Sequence, residues 1–396
     1  MSIFGRRNNW ANGYFIHAAR IRDGLESLVQ RQLERCDRLD GLLATMSLAG
    51  GTGSGVGTSL LLQLPDLLPK TPTLAQLVWP YWRGEVSVQA YNAILTLGHL
   101  LSSATIGSLD GVIMQHNDVL HNICTNRLRA TKPNCPIGLD QLNALAAHQL
   151  AGLLQPFSRN SVTGVTTCPR RLSTLLVQLG GHPDYRLLQL RCLPYFGPEC
   201  RAFSTETWAQ LARHGRQMLL TGSSSDDRLN WSSDSSGLEA VNRFRQTRLP
   251  ILGCMAVLRG QDADEHIRQP EAFVHDLTKN LIRSTPPSSL SLCLPMHSTF
   301  LGSHTRSFLG YPRSLFIASN GGGARPTISP DEPNSPAPKE GIPASLSHVS
   351  GRAWEMFASK AFLHQYERFG LTNDIFLDCF ATVEQIAHCY STLAWE

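Results

Sequence analysis

The spacing of apolar and polar residues predicts a run of connected elements near the start of the chain. In residues 21–39 apolar side chains recur with a period of about 3.6 residues, which is typical of an amphipathic helix. Residues 41–48 form a continuous apolar run without a polar face, as expected of a parallel strand covered by helices on both sides. A glycine loop and a further apolar stretch, residues 58–64, follow. The order helix, strand, glycine loop, helix predicts an α/β fold with a doubly wound parallel sheet.

The pattern farther along predicts further strands and helices. Residues 86–97 and 109–114 indicate more strand and helix, a short helix runs from Asn117 through Arg127, and a longer one runs from Leu139 to about Pro156. Two apolar runs have the composition of strands in a second unit, and two later stretches have the spacing of helices. The strands are 250–258 and 289–294, and the helices are 354–369 and 382–390.

Two segments have the composition of linkers. Residues 222–237 and 320–343 are rich in serine, glycine, proline or aspartate, so neither is expected to form core.

Composition limits the classes of protein to which the chain can belong. A chain of 396 residues with 42% hydrophobic and 17% charged residues is large enough for two or more packed units and too apolar for a disordered protein. The formal charge of +4 is spread without a block of like charges, so we expect neither nucleic-acid nor anionic-membrane binding. No apolar run approaches eighteen residues, which predicts that the chain does not insert into a membrane.

The cysteines and histidines do not predict a metal site. The ten cysteines never form a Cys-x-x-Cys pair, and the fourteen histidines include no His-Glu-x-x-His motif. Without a secretory leader, reduced thiols and a cytoplasmic protein are the expectation.

The glycine loop is the clearest candidate for chemistry. The sequence Ala49-Gly-Gly-Thr-Gly-Ser-Gly55 lies between a predicted strand and a predicted helix, where unhindered N–H groups at a helix N-terminus can hold an anion. The hydroxyls of Thr52 and Ser54 add possible donors. A tight structural turn is the alternative interpretation.

Spacing disfavours the two commonest phosphate loops. A Walker A loop ends in Gly-Lys-Ser or Gly-Lys-Thr, whereas Val56 follows Gly55 here. The dinucleotide motif requires a third glycine at relative position six, where Val56 or Thr58 stands. The loop therefore needs another family to explain it.

Several segments together resemble the tubulin superfamily. Gly-Gly-Thr-Gly-Ser-Gly after Met-Ser-Leu is similar to the tubulin signature loop, and the matching segments elsewhere occur in the family's order and spacing. They are Asn8-Asn-Trp-Ala-Asn-Gly-Tyr14, Val88-Gln-Ala-Tyr-Asn-Ala-Ile-Leu95, the helix in His116-Asn-Asp-Val-Leu-His-Asn-Ile-Cys124, and Lys360-Ala-Phe-Leu-His-Gln-Tyr-Glu-Arg-Phe-Gly370, which resembles the long C-terminal tubulin helix. Residues 79–86, 147–150 and 354–360 look most like the delta-tubulins.

The resemblance also implies an organisation in four parts. They are a partial GTP-binding domain, a central helix with its connector, an α+β intermediate domain containing the insert at about 320–343, and a C-terminal helical region. The implied bounds are 1–138, 139–165, 166–345 and 346–396.

The resemblance implies a GTP site and assigns residues to it. Phosphate contacts fall on the loop, Glu85 takes the place of the acidic residue beside the ribose, Asn117 contacts ribose or base, and Asn143 pairs with the guanine edge. From the residues alone, each asparagine is more often a helix cap or a surface amide. The loop side of the implied site is Asn8, Ser47, Ala49, Gly50, Gly51, Thr52, Gly53, Ser54 and Gly55. Any Mg²⁺ would come with the nucleotide.

Three departures from the family weaken the expected site. The family's first strand and its Gly-Gln-Cys-Gly-Asn-Gln loop are not found before Asn8, which predicts an incomplete site with weak affinity. Leu139 stands where the family places a ring that stacks on guanine. No acid occurs from Gln141 to Pro183, so a hydroxyl, Ser173 or Thr174, takes the place of the carboxylate that assists hydrolysis in polymerising tubulins.

The resemblance therefore implies a cytoskeletal protein like the delta-tubulins of centrioles, basal bodies and cilia. It binds GTP weakly or incompletely, catalyses no hydrolysis, and acts through contacts with other tubulins and with centriolar or ciliary proteins. The implied locations are the cytoplasm, the centrosome, the cilium and also the nucleus. A GTP-hydrolysing microtubule subunit and a nucleotide-free interaction fragment are the alternatives.

Overall fold

The computed structural model describes residues 8–82, 84, 86–102, 109–125, 137–155, 172–180, 182–195, 207–223, 249–263, 299–323 and 341–393. Seven strands lie in these ranges: β1 Leu42–Ser47, β2 Thr73–Trp79, β3 Gly111–His116, β4 Leu187–Leu193, β5 Ile251–Gly260, β6 Thr299–His304 and β7 Arg313–Gly321. The helices are α1 Ala18–Leu33, α2 Gly57–Leu67, α3 Gln89–Leu101, α4 Asn117–Ile123, α5 Leu139–Leu154, α6 Leu172–Gly180, α7 Trp208–Thr221, α8 Ile342–Ala358, α9 Leu363–Glu367 and α10 Asn373–Thr392. Two π-helical turns, Asn12–His17 and Thr52–Val56, precede α1 and α2.

The seven strands form one mixed sheet in the order β1-β2-β3-β4-β7-β5-β6. Strands β1 to β4 are parallel neighbours, β7 runs antiparallel to both β4 and β5, and β5 is parallel to β6. Helices connect β1 to β2, β2 to β3 and β3 to β4, as crossovers between parallel strands require. The predicted α/β fold with a mostly parallel sheet is confirmed.

Alternate residues of the central strands face two separate layers of core. On β3, Val112 and Met114 pack in one cluster with α3, α8 and α10, whereas Ile113 packs in the other with α4, α5 and α6. Because successive side chains of a strand point to opposite faces, helices on both faces explain the nearly continuous apolar sequence.

Strand β1 differs from the prediction made for it. Residues 41–48 do form a parallel strand, but β1 has β2 as its one partner among the described strands, and Leu43 is 45% exposed. Of its six residues, Met46 alone is buried. The expectation that helices cover both faces is therefore wrong for the described residues, because the apolar run fits an edge strand equally well.

Helix α1 is present but packs less than its apolar stripe predicts. It spans Ala18–Leu33, and Ala18 is its one buried residue, while Ile21 is 44% and Leu28 is 50% exposed. The periodicity located the helix correctly. Periodicity shows which residues share a face, and it does not show that the face is covered.

The C-terminal region contains a break that the sequence did not indicate. The predicted helix 354–369, and with it the resemblance of residues 360–370 to one long helix, is interrupted between α8 and α9, where Lys360 and Phe362 adopt positive φ angles of 53° and 60°. Helix α10 spans Asn373–Thr392 and includes the predicted helix 382–390. None of the helices in the described ranges is long and apolar enough to cross a membrane.

The predicted insert 320–343 is too broad at both ends. Asn320 is fully buried in β7, where its amide donates to the carbonyls of Leu179 and Tyr185, and Ile342 begins α8. The prediction included these residues because asparagine and glycine are common in linkers, and they can equally end a strand. The predicted strand 250–258 is confirmed within β5, whereas the predicted strand 289–294 lies outside the described residues.

Candidate nucleotide-binding site

The carboxyl ends of three adjacent parallel strands bring the candidate residues to one edge of the sheet. Strand β1 ends at Ser47 and leads into the glycine loop, β2 ends at Trp79, and β3 ends at His116 immediately before Asn117. In open α/β sheets, ligands bind beyond the carboxyl ends of the strands. The predicted loop and the predicted Asn117 therefore lie on the side of the sheet where a ligand is expected.

The glycine loop folds back on itself and then becomes the start of a helix. The Ala49 amide donates to the Ser47 hydroxyl at 3.2 Å, and the Ser54 amide donates to the Gly50 carbonyl at 3.2 Å. The π-helical turn Thr52–Val56 runs directly into α2. The first N–H groups of such a helix have no preceding helical carbonyl to bond, so they are available to an anion.

Three loop glycines are required by close backbone contacts. A Cβ added at Gly51 would lie 2.5 Å from the Asn9 carbonyl oxygen, and one added at Gly53 would lie 2.9 Å from the Ser47 carbonyl oxygen. At Gly55 the new atom would meet the Trp10 carbonyl. These three glycines are needed for the packing of the loop. For these positions, the alternative interpretation of the loop as a tight structural turn is supported.

Gly50 is different, because no contact with the described residues requires a glycine there. An added Cβ would have the Asn8 Oδ1 atom at 3.9 Å as its nearest neighbour. Asn8 is itself exposed, so this side of the loop is open to a ligand. The loop thus has a packed back and an accessible front, which fits the binding of a phosphate group.

The two loop hydroxyls have different roles. Ser54 is fully buried, and its hydroxyl donates to the Gly50 carbonyl. Its own carbonyl accepts a hydrogen bond from the Thr58 hydroxyl at 2.6 Å. Thr52 is exposed. Both hydroxyls are predicted to face the ligand. In this structure the Ser54 hydroxyl bonds within the loop, while Thr52 is an accessible candidate contact.

The end of β3 is enclosed by aromatic rings. Trp82 stacks on His116 with ring centroids 6.0 Å apart, and Trp79 lies at 5.2 Å. Burial of the imidazole lowers the pKa of His116 to about 4, so the ring is neutral at physiological pH. The backbone N–H of Trp82 donates to Asp118 at 2.8 Å, which joins the loop after β2 to the first turn of α4.

Asn117 and Asn143 occupy unlike environments. Asn117 is the half-buried first residue of α4, as the sequence predicts. Asn143 is exposed on α5, one turn from Leu139, which is 62% exposed. A residue pair at i and i+4 shares one helix face. The structure thus leaves the predicted base-side residues accessible, and Glu85 lies outside the described residues.

The main residue missed by the sequence reasoning is Asn92 on α3. It is fully buried, and its amide nitrogen donates to the carbonyl of Ala49 at 2.8 Å. An asparagine among the apolar residues 90–95 was a usable signal, because buried amides are rarely left without partners.

A carboxylate from another part of the chain lies at the amino end of α6, a region in which the local sequence has no acidic residue. Ser173 is in the first turn of α6, and no residue of that turn is acidic. However, Asp40, from the segment before β1, accepts a hydrogen bond from the Leu172 amide at 3.2 Å. Asp40 therefore places a negative charge at the amino end of α6, although it comes from a distant part of the sequence.

The remaining geometry limits what the site can hold. Within the described ranges, no group of three or more histidine, cysteine, aspartate or glutamate side chains could bind a metal ion. A cavity of about 230 Å³, lined in part by Trp79, Trp82 and His348, is small for a nucleotide, and a cavity of about 500 Å³ near Asp110 and Arg186 lies at the amino ends of the strands. The open front of the glycine loop remains the best place for an anion.

Comparisons with known proteins agree with this arrangement. Residues 3–125 match the model of the Tubulin/FtsZ family, GTPase domain. The chain is 33% identical to the tubulin delta chain of Mus musculus and 31% identical to that of Homo sapiens, covering 98% of this chain and 78% of each relative. It is 26% identical to the tubulin beta-2 chain of Hypocrea virens, over 76% of this chain and 63% of that protein. The chain therefore belongs to the tubulin family, and the predicted resemblance to the delta chains is confirmed.

Proposed function

We propose that this tubulin-family cytoskeletal protein binds GTP through the glycine loop, and that it acts through assembly contacts at centrioles, basal bodies and cilia as a delta-tubulin-like member. The observation that carries the proposal is the loop itself, which begins a helix at the carboxyl edge of a parallel sheet in a chain 33% identical to a tubulin delta chain. Other tubulins and centriolar or ciliary proteins are the proposed partners.

The proposed affinity for GTP is low. On the phosphate side, the described residues offer backbone N–H groups and the Thr52 hydroxyl without a lysine or a metal-binding cluster. On the base side, Leu139 can pack against guanine but cannot stack as an aromatic ring does. Mg²⁺ would enter with the nucleotide and be held through its phosphates.

The nucleotide proposal is tested with Gly50→Ala. Because the added methyl group meets nothing closer than 3.9 Å, this variant should fold normally while its methyl group obstructs the open front of the loop. We expect titration with a fluorescent GTP analogue to give saturable binding that the substitution weakens at least tenfold. Gly24→Ala is the matched control, since a Cβ there also has nothing within 4 Å but lies on α1.

Two outcomes would reject the nucleotide proposal: no saturable binding by the unsubstituted chain, or equal binding by Gly50→Ala and Gly24→Ala. The cellular part has a separate test. A fluorescently tagged chain should co-localise with centriole and basal-body markers in ciliated cells, and a uniform distribution there would contradict it.

We also propose that the chain does not catalyse GTP hydrolysis. The first turn of α6 has no acidic residue, and the nearby Asp40 carboxylate is already engaged by the Leu172 amide and lies 3.4 Å from the Arg38 guanidinium. A carboxylate held in this way is poorly placed to orient water. Phosphate release in a mixture with alpha and beta tubulin should not rise when the chain is added, and an increase that Asp40→Asn abolishes would show the opposite.

A further inference from the structure

Asn92 makes a complete set of hydrogen bonds around the glycine loop. Its amide nitrogen donates to the carbonyls of Asn8 at 2.7 Å and Ala49 at 2.8 Å. Its amide oxygen accepts from the Trp10 backbone N–H at 3.0 Å and from the Tyr366 hydroxyl at 2.7 Å. A side-chain amide has two N–H donors and two oxygen lone pairs, so all of its hydrogen-bonding capacity is used.

These bonds hold the loop from two sides. Ala49 is the first residue of the loop, so the bond to its carbonyl fixes where the chain leaves β1. Asn8 and Trp10 belong to the segment whose backbone packs against the loop glycines, with the Asn9 carbonyl 2.5 Å from the Cβ position at Gly51. Asn92 therefore fixes both the loop and the backbone surface on which the loop rests.

The fourth bond connects this arrangement to a distant part of the chain. Tyr366 lies on α9, is fully buried, and is 274 residues from Asn92 in sequence. Burial raises the pKa of Tyr366 well above its ordinary value, so the hydroxyl keeps its proton and remains a donor. A second hydrogen bond also joins this segment to α9: the side-chain amide of Asn9 donates to the Gln365 carbonyl at 3.1 Å.

We propose that Asn92 is the positioning residue of the glycine loop, and that α9 sets the affinity of the loop for a nucleotide phosphate through Tyr366. The proposal rests on the proposed GTP binding. The N–H groups of the loop can bind an anion together only when the backbone from Ala49 onward is held in one conformation. Since coupling between two sites is reciprocal, GTP binding should in turn stabilise α9.

Two tyrosine substitutions separate this linkage from general packing. Tyr366→Phe removes the hydroxyl that bonds Asn92 and leaves the ring in place. Tyr91→Phe is the matched control, because Tyr91 is also fully buried and its hydroxyl donates to the Ala361 carbonyl at 3.0 Å without reaching the loop. Each variant loses one short hydrogen bond to the C-terminal region, and Tyr366→Phe also loses the longer contact of the hydroxyl with the Val88 carbonyl at 3.5 Å. Similar losses of thermal stability are therefore expected.

The readouts are binding of a fluorescent GTP analogue and hydrogen exchange of the amides in residues 48–56. Tyr366→Phe should weaken binding about fivefold and accelerate exchange of the loop, whereas Tyr91→Phe should change neither. The analogue should also slow exchange in residues 363–367 of the unsubstituted chain. Equal effects of the two substitutions, or unchanged loop exchange in Tyr366→Phe, would overturn the proposal.

Exchange measured without nucleotide keeps this test separate from the proposed function. If the unsubstituted chain binds no GTP analogue, the nucleotide proposal fails, along with the claim that α9 sets affinity. Faster loop exchange in Tyr366→Phe than in Tyr91→Phe would still establish Asn92 as the residue that positions the loop. Asn92→Leu, which removes all four bonds, should accelerate exchange further if it folds.

Discussion

The residues proposed to bind the nucleotide lie on a loop wall, residues 47–55, and a helix wall, Leu139 and Asn143 on α5, and these walls are built on different principles. In the loop wall, Gly51, Gly53 and Gly55 are fixed by backbone atoms that leave no space for a Cβ. In the helix wall both side chains are exposed. Packing accounts for most residues of the loop wall, whereas it does not constrain the two exposed side chains of the helix wall.

The largest expected difference between the walls is in the free energy of unfolding after an alanine substitution in each. Gly51→Ala would force its new methyl group against the Asn9 backbone, with both O and N within 2.7 Å, so we expect a loss of about 2–3 kcal/mol in the free energy of unfolding. Asn143→Ala on the exposed helix wall should change it by less than about 0.5 kcal/mol. Urea denaturation of both variants measures the difference.

Gly351→Ala is the control for the loss of a glycine as such. It lies within α8, where an added Cβ meets nothing within 4 Å, and alanine favours a helix over glycine by about 1 kcal/mol. This variant should therefore be stabilised. Comparable stability of Gly51→Ala and Gly351→Ala would show that the loop wall is not fixed by packing.

A smaller effect is expected at His116, where β3 ends. The folded-state pKa is lowered to about 4 from an ordinary value of 6.5, so between these pH values the unfolded chain binds more protons than the native state. The contribution of His116 to stability is complete above pH 6.5 and decreases as pH falls toward 4. Between pH 7.5 and pH 5 the loss is about 2 kcal/mol.

His116→Gln removes this dependence, because glutamine does not titrate. The free energy of unfolding, measured by urea denaturation at both pH values, should fall less for the variant than for the unsubstituted chain, by about 2 kcal/mol. His388→Gln, on an exposed position of α10, serves as the control for loss of an imidazole. An identical pH dependence in His116→Gln and the unsubstituted chain would mean that the ring is not enclosed as described.

The two walls also show what could be predicted from sequence. The strand, the loop and the following helix were predictable because glycine spacing and apolar runs record backbone constraints that are local in sequence. Asn92, Tyr366 and Asp40 were not predictable in their roles, because each acts on a segment that is distant along the chain. The exposure of β1 was missed for a related reason: an apolar run records the residues of a strand and not its neighbours in the sheet.

The smallest expected effect is a gain in nucleotide affinity when an aromatic ring is added to the helix wall. Leu139→Tyr places an aromatic ring at a position that is 62% exposed, so folding should be unaffected. If guanine lies over this position, stacking worth about 1 kcal/mol should strengthen binding of a fluorescent GTP analogue about fivefold. The same substitution at Leu377, 44% exposed on α10, should have no effect on binding.

A gain at Leu139 and not at Leu377 would identify the helix wall as the base side of the site, since packing cannot explain an increase in affinity at an exposed residue. The gain should be specific for guanine only if Asn143 also contacts the base, because stacking alone does not distinguish one purine from another. Leu139→Tyr combined with Asn143→Ala should therefore retain the added affinity while losing the preference for GTP over ATP. Equal affinity of Leu139→Tyr and the unsubstituted chain would place the base elsewhere and leave the loop wall as the one part of the site that the structure supports.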